Sequence, residues 1–325
     1  MDLVETYREE LRFVRKPIPR ALLLLLLALL LLPWWGPGAW LSRGSLVWLF
    51  AIGVIGQNLL IGYAGLVSFG QAGFLAVGAY TFGHLRIAGV PFQLALAAAG
   101  GAAGLVGWLV GFPSLRLKGP YLAIATLGFG TATYQIFANV EKLSGGRQGL
   151  PIPPLEPLLG LSRDVYTYLV YYLVFLLFTG AAYNLVSSYV GRSLVAVRDS
   201  DIAAEAMGVN LTRTKLLAFG ISSFYTGVHG ALMAQYLGHL EPQAFNIAES
   251  MNFFVAVIVG GLASVEGSVM GAAFAVLVPA LFGDFRWAVP VLFGAAILGV
   301  LIFEPLGLSG MWLKTRLYFR MWPFR

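Results

Sequence analysis

PFQLALAAAGGAAGLVGWLVGF, residues 91–112, runs for 22 residues without one charged side chain. A helix needs about 20 mostly apolar residues to cross the hydrocarbon core of a bilayer, so this stretch reads as a membrane span. Within it Gly100, Gly104, Gly107 and Gly111 recur at three- and four-residue spacing, on one helix face. Glycine weakens a helix in water, but in a membrane small residues let two backbones approach closely. The glycine stripe is therefore expected to be a helix-packing surface.

The rest of the chain has the same character. Of its 325 residues 58% are hydrophobic and 11% charged, against about 45–50% and about 25% in soluble domains. That composition excludes a water-soluble fold, a disordered chain, a collagen-like repeat and a nucleic-acid-binding protein. With no cysteine there are no disulfides, thiolate metal sites or cysteine nucleophiles. His84, His229 and His239 lack metal-ligand spacing, and no carboxylate pair resembles a catalytic dyad. No metal site and no catalysis are expected, and the fold class is an all-α integral membrane protein.

Ten candidate spans follow from the apolar runs: 20–35, 45–61, 71–87, 91–112, 120–138, 165–188, 215–237, 250–265, 268–283 and 288–304. The first is preceded by acidic as well as basic residues and followed by no small-residue cleavage site, so it reads as a retained span, with Trp34 and Trp35 as an interfacial anchor. If the amino terminus is cytoplasmic, 15 of the 21 Lys and Arg fall in inside segments: 1–19 with its boundary residue Arg20, Arg116 and Lys118, the stretch 189–214 with Lys215, and the carboxy terminus. That bias predicts both termini in the cytoplasm. Residues 139–164 then form an extracytoplasmic loop, ordered but irregular, and Asp284 and Arg286 an exposed pair in an outer turn.

The inside segment GRSLVAVRDSDIAAEAMGVNLTRT is the most informative in the chain. Ser200 suits a helix N-cap, Asp201 the positive helix end, and Gly208 the C-terminal stop, so a helix of about two turns is expected between them. Ile202, Ala203, Ala206 and Met207 make one apolar stripe, and Asp201 and Glu205 lie on another side. Asn210 or Thr212 caps the helix that follows. So short a helix is not stable alone in water. Docking into a partner's groove explains it; lying in the lipid interface is the alternative, against which stand its small alanines.

Five segments carry a resemblance: NLLIGYAGLVSFGQAGFLAVGAY (58–80), LRLKGPYLAIATLGFG (115–130), SGGRQGL (144–150), RDSDIAAEAMGVNLTRTKLLAF (198–219) and VGGLASVEGSVMGAAF (259–274). Together they resemble the branched-chain amino acid permeases of ABC importers, and the extra first span with RLKGPYLAIATL resembles the M-type subunit. The general permease loop pattern, EAA followed by three residues and glycine, is met by Ala203, Ala204 and Gly208, with Ile202 where glutamate would stand. Arg147 and Gln148 also depart from the commoner residues. The resemblance implies that residues 1–325 form one transmembrane domain and half of a translocation pathway for leucine, isoleucine, valine or related aliphatic amino acids. It implies a second permease, two ATP-binding cassette subunits carrying ATP and Mg, an extracytoplasmic solute-binding protein, a lipid environment and a prokaryotic inner-membrane location. Urea, short amides or other amino acids are the alternative cargo, and an ion-gradient-driven secondary transporter the alternative class.

The resemblance also makes 189–214 a cytoplasmic coupling loop, with Arg198, Asp199, Asp201, Ala203, Ala204, Glu205, Ala206, Met207 and Gly208 as the ATPase-contacting set. No lysine follows glycine and precedes Ser or Thr, so the chain has no phosphate-binding loop and no cofactor of its own is expected. Polar groups at membrane depth tend to face an aqueous path or a bundle interior. Gln57, Asn58, Ser68 and Gln71, interspersed with glycines, suggest a broken helix near 57–73; Gly261-Leu-Ala-Ser264 echoes Gly65-Leu-Val-Ser68 and suggests a second near 259–271. Those four residues, with Thr126, Thr131 and Gln135 in the fifth span, are the path candidates. The acidic residues fall in loops or at span ends, as Glu266 and Glu304 do, which disfavours ion coupling.

Overall fold

The structure, a computed structural model, describes residue 29 and residues 38–117, 119–146, 149–157, 160–281, 288–304 and 306–321. The amino-terminal segment 1–19, nearly all of the first candidate span, Arg147, Gln148, Asp284 and Arg286 lie outside these residues.

The described chain is helical almost throughout. In order it forms α1 (Gly38–Asn58) running into a π-helical turn (Leu59–Tyr63), α2 (Gln71–Ile87), α3 (Phe92–Ser114), α4 (Pro120–Asn139), α5 (Glu141–Ser144) and β1 (Leu150–Pro151). There follow α6 (Arg163–Ser187), α7 (Tyr189–Asp199), α8 (Asp201–Ala206), α9 (Leu211–Leu237), β2 (His239–Leu240), α10 (Ile247–Gly260), α11 (Val265–Leu281), α12 (Ala288–Phe303) and α13 (Gly307–Met321). Nine candidate spans fall on helices, with ends that differ by up to seven residues, as where the helix of the 45–61 span begins at Gly38. The stretches Trp40–Tyr63, Phe92–Ser114, Arg163–Ser187 and Leu211–Leu237 are long and apolar enough to cross a membrane. Ile247–Gly260 and Val265–Leu281 are shorter apolar helices. The break between these two comes at 261–264, inside the expected broken stretch 259–271 but earlier than the span bounds 250–265 and 268–283 put it, because Gly261 at φ 121° and Ala263 at φ 55° leave the helical region.

Helix α9 is the axis of the bundle and packs on α3, α2 and α1. Ala218, Phe219, Val228, Ala231, Leu232 and Ala234 are buried along it. The glycine stripe of α3 is the seam against it. A Cβ at Gly100 would stand 2.8 Å from both Phe224 and Val228, one at Gly111 would stand 3.1 Å from Phe219, and one at Gly107 would overlap the Ser223 side chain. The opposite face of α3 presents Leu94, Leu105, Leu109 and Phe112 outward, as a lipid-facing surface does.

Loops of expected common sidedness meet one another. Residues 150–152 pair with 238–240 through an antiparallel bridge and the Ile152 N–H to Gly238 carbonyl bond, while His84 Nε2 lies 2.8 Å from the Leu143 carbonyl. At the other end of the bundle, α7 abuts the π turn.

Candidate functional site

Both glycine-rich breaks are present, each where one helix gives way to the next: residues 64–70 between the π turn and α2, and 261–264 between α10 and α11. A break strands backbone groups that a bilayer cannot solvate. Here side chains satisfy them. Asn58 Nδ2 donates to Gly261 O at 3.1 Å, Ser264 O at 3.0 Å and Ser268 Oγ at 2.8 Å, and its Oδ1 accepts from the Ala263 N–H at 3.0 Å. Asn58, at the end of α1, thereby fastens the second break to the first across more than 200 residues of chain.

The first break is sealed in the same way. Gln57 Nε2 donates to Ser68 O, Thr126 Oγ1 accepts from the Phe69 N–H, and Ser68 Oγ accepts from the Gly70 N–H. At the start of α2 the Ala72 N–H donates to Ser250 Oγ. Gln71 Nε2 donates to Ser222 Oγ, and Thr226 Oγ1 donates to Gln71 Oε1. Gln57, Asn58, Ser68, Gln71 and Thr126 are all at most 1% exposed. The structure thus brings these path candidates together in the interior, where their bonds go to their own chain. Ser264, named in the sequence as part of the second break, and Ser222, Thr226, Ser250 and Ser268, which were not singled out, complete the network. Their signal was the polar cluster SSFYT inside an otherwise apolar span and the i, i+4 serine pair 264 and 268.

Thr131 and Gln135 lie elsewhere. Thr131 Oγ1 donates to the Leu127 carbonyl of its own helix, and Gln135 is exposed and bonded to Asn139. Gln135 belongs to an outward face of α4 with Tyr121, Ile124, Gly128 and Ala132. That face mixes the exposed apolar side chains of Tyr121, Ile124 and Ile136 with the small residues Gly128 and Ala132 and the Gln135 amide.

The segment 189–214 folds as α7, α8 and the first turn of α9. Ser200 Oγ accepts from the Ala203 N–H, Gly208 stands at φ 84°, and Asn210 Oδ1 accepts from the Arg213 N–H. These are the caps and stop that the sequence reading names. Ala204 is the buried residue of α8, whereas Ile202 is 84% and Met207 85% exposed. Ala203, Glu205, Ala206 and Gly208 are exposed beside them, so the apolar stripe faces away from the bundle. Asp201 pairs with Lys215 Nζ at 2.7 Å, tying the start of α8 to α9.

Arg198, although exposed, reaches the other way, back to the π turn. Its Nη1 donates to Gly62 O at 3.1 Å, while Nε and Nη2 hold the Asp199 carboxylate. Gly62 itself has no room for a side chain, since a Cβ there would overlap Asn58 Oδ1 and Ala263 N. Close by, Tyr63 lies beside Val265, and Tyr183 beside Glu266 in the first turn of α11. The outward helix α8, the guanidinium of Arg198 and both breaks therefore form one contiguous corner of the molecule.

Comparison with known proteins bears on this corner and on the whole chain. Residues 40–303 match the family described as branched-chain amino acid transport system / permease component. The high-affinity branched-chain amino acid transport system permease protein LivM of Salmonella typhimurium is 33% identical over 301 residues, covering 83% of this chain and 71% of the relative; the Escherichia coli LivM gives the same figures. The probable branched-chain amino acid transport permease protein LivM of Methanocaldococcus jannaschii is 25% identical over 316 residues, covering 81% of this chain and 91% of that protein. No solved structure matches the chain significantly.

Proposed function

This chain belongs to the branched-chain amino acid transport permease family, as an M-type subunit, and on that premise we propose that it forms half of an ATP-driven import pathway for leucine, isoleucine, valine or a related aliphatic amino acid. The observation that carries the mechanism is the double aspect of the 189–214 segment. Its α8 stripe of Ile202, Ala203, Ala206 and Met207 faces outward. The residue preceding α8 by three, Arg198, holds the backbone of the π turn.

In this reading the stripe seats in a groove of a cytoplasmic ATPase subunit, with Asp199 and Glu205 at its rim. ATP and Mg are bound by two such partner chains, a second permease completes the pathway, and an extracytoplasmic binding protein delivers the solute. Both termini lie in the cytoplasm of a prokaryotic inner membrane. Closure of the ATPases displaces α8, and Arg198 passes that displacement to the π turn and so to both breaks. π turns inside helices are frequent at functional sites, and rigid-body rocking about such a fixed point is a standard route to alternating access.

The pathway itself is assigned to the outward face of α4, where Gly128, Ala132 and Gln135 offer a low, partly polar surface to the second permease. The buried network of Gln57, Asn58, Ser68, Gln71 and Thr126 acts as the strut behind that face.

The test is reconstitution of the chain with a second permease, the two ATPase chains and a binding protein in proteoliposomes. ATP-dependent uptake of labelled leucine is expected. Because the chain has no cysteine, single cysteines at Gly128, Ala132 and Gln135 can be probed without background. They are expected to react with a thiol reagent in the isolated chain and to cross-link to the second permease in the complex. Uptake that follows an ion gradient without ATP, or equal reactivity in both states, would overturn the proposal.

A further inference from the structure

A groove of about 330 Å³ runs between α3 and α9, in the half of the bundle that carries α7 and α8. Gly104 and Trp108 of α3 line it on one side, and Leu217, Gly220, Ile221 and Phe224 of α9 on the other, with no charged side chain among them. Both helices are long and apolar enough to cross a membrane, so the groove lies at membrane depth. Trp108 and Leu217 are exposed at its mouth, and the Trp108 ring meets that of Phe112 on the lipid-facing side of α3.

The groove is kept open by glycine. At Gly100 and Gly107 a Cβ would collide with α9, so close packing accounts for glycine there. Gly220 differs: a Cβ would stand 3.6 Å from Gly104 O and 3.8 Å from Trp108 Cβ, which are ordinary contact distances. Packing therefore does not require glycine at 220, and its missing side chain leaves the space beside Trp108 unfilled. Along α9 the lining runs from Leu217 to Phe224, about 10 Å at 1.5 Å per residue. One leaflet of the hydrocarbon core is about 15 Å deep, so the groove fits within a single leaflet, as an acyl chain does.

Charge at the end of the groove selects the occupant. Arg213 lies one turn before Leu217 on the same face of α9, about 16 Å along the axis from Phe224. It is exposed and makes no salt bridge among the described residues, and neither does Arg116, exposed just past the end of α3. Lys215, in the same turn of α9 as Arg213, is held by Asp201. An uncharged groove one leaflet deep thus ends at two guanidinium groups, which hold phosphate through paired N–H donors. A zwitterionic headgroup would bring its own cation to them, whereas an anionic one brings none. We propose that this groove holds an anionic phospholipid, with one acyl chain between Trp108 and Phe224 and the phosphate at Arg213 and Arg116. Its headgroup then sits at the start of α9, which the Asp201–Lys215 pair ties to α8.

The experiment purifies the full chain in detergent, adds phosphatidylglycerol and phosphatidylcholine of matched acyl chains in equal amounts, and reads the retained lipid by native mass spectrometry. Phosphatidylglycerol is expected to be held in preference to phosphatidylcholine. A basic residue near the surface favours an anionic lipid about fivefold. Arg213→Gln is therefore expected to cut the preference about fivefold, and Arg116→Gln added to it to erase the rest, with circular dichroism unchanged because both side chains are exposed. Gly220→Leu, whose Cβ has room, is expected to fill the groove and release the lipid with the helices intact. Equal retention of the two lipids, or retention that Gly220→Leu leaves unchanged, overturns the proposal. So does a Leu217→Cys chain that cross-links to a second copy in nanodiscs of the same lipids, since protein would then cover the groove.

Discussion

Replacing Asn58 with leucine removes the side chain that joins the two breaks while keeping its volume close to constant. The cost can be worked bond by bond. Ser264 O keeps a second donor, Ser268 Oγ at 3.0 Å, so it is not stranded. Gly261 O and the Ala263 N–H each lose the side-chain partner that Asn58 provides. Two stranded groups at about 1–3 kcal/mol each give a loss of about 4 kcal/mol. Interhelical hydrogen bonds in membranes measure nearer 0.6 kcal/mol because the unfolded state also finds partners, which sets a floor of about 1 kcal/mol. The expected loss lies between these, at about 2–3 kcal/mol. It can be read by titrating the detergent-purified protein with SDS and following the fluorescence of its eight tryptophans. Ser268→Ala, which leaves Asn58 bonded to Gly261, Ser264 and Ala263, should cost under about 1 kcal/mol. An Asn58→Leu protein within about 0.5 kcal/mol of the parent, the range of an inconsequential surface change, would refute the claim that this residue holds the breaks together.

Gly107→Leu should destabilise the bundle by about 1–3 kcal/mol or prevent its assembly, because even a Cβ overlaps Ser223 of α9; a normal melting temperature would refute the seam. Ile202→Asp and Met207→Asp alter side chains 84% and 85% exposed, so stability should stay within about 0.5 kcal/mol while transport per ATP hydrolysed falls at least tenfold; unchanged transport in the reconstituted importer would remove the docking reading. Arg198→Ala should assemble with the ATPases normally yet lose substrate-stimulated hydrolysis, and Arg198→Lys should restore part of it. An Arg198→Ala complex with full stimulation would show that the Gly62 contact transmits nothing.

What could be read from the sequence was whatever is written locally. Helix positions follow from runs of apolar residues, and the α3 seam from glycines at helical spacing. The caps of α8 and α9 follow from Ser200, Gly208 and Asn210, whose side chains or backbone act within three residues of themselves. The positions of both breaks were legible too, because clustered glycine and polar residues interrupt an apolar run. The destination of the polar groups was not. Asn58 and Gln71 find partners 203 to 210 and 151 to 155 residues away, and nothing in their own neighbourhood distinguishes a side chain that lines a water path from one that repairs a backbone. The physics of cost in a membrane is the same for both, so depth and polarity alone pointed equally to either. The reach of Arg198 to the π turn was invisible for a similar reason: a cationic residue in a loop reads as solvated until the glycine carbonyl that accepts from it is placed beside it.

The repair of one break by the end of the other helix has a consequence for how the molecule can move. Gly261 O and the Ala263 N–H are satisfied only while Asn58 stays with them, and Asn58 leads directly into the π turn whose Gly62 carbonyl is held by Arg198. Gly62 is packed so closely that a Cβ would overlap both Asn58 and Ala263. Displacing the π turn by itself would therefore strand buried backbone groups on the far side of the contact, at a cost of about 1–3 kcal/mol each. Moving the π turn, Asn58 and the 261–264 break as one body strands none. Small shifts at a packed corner of this kind are transmitted as rigid-body motion rather than absorbed by deformation. In the proposed mechanism, a displacement of α7 and α8 that reaches this corner through Arg198 therefore acts on α1, α10 and α11 together, although the stripe of α8 itself faces away from the bundle.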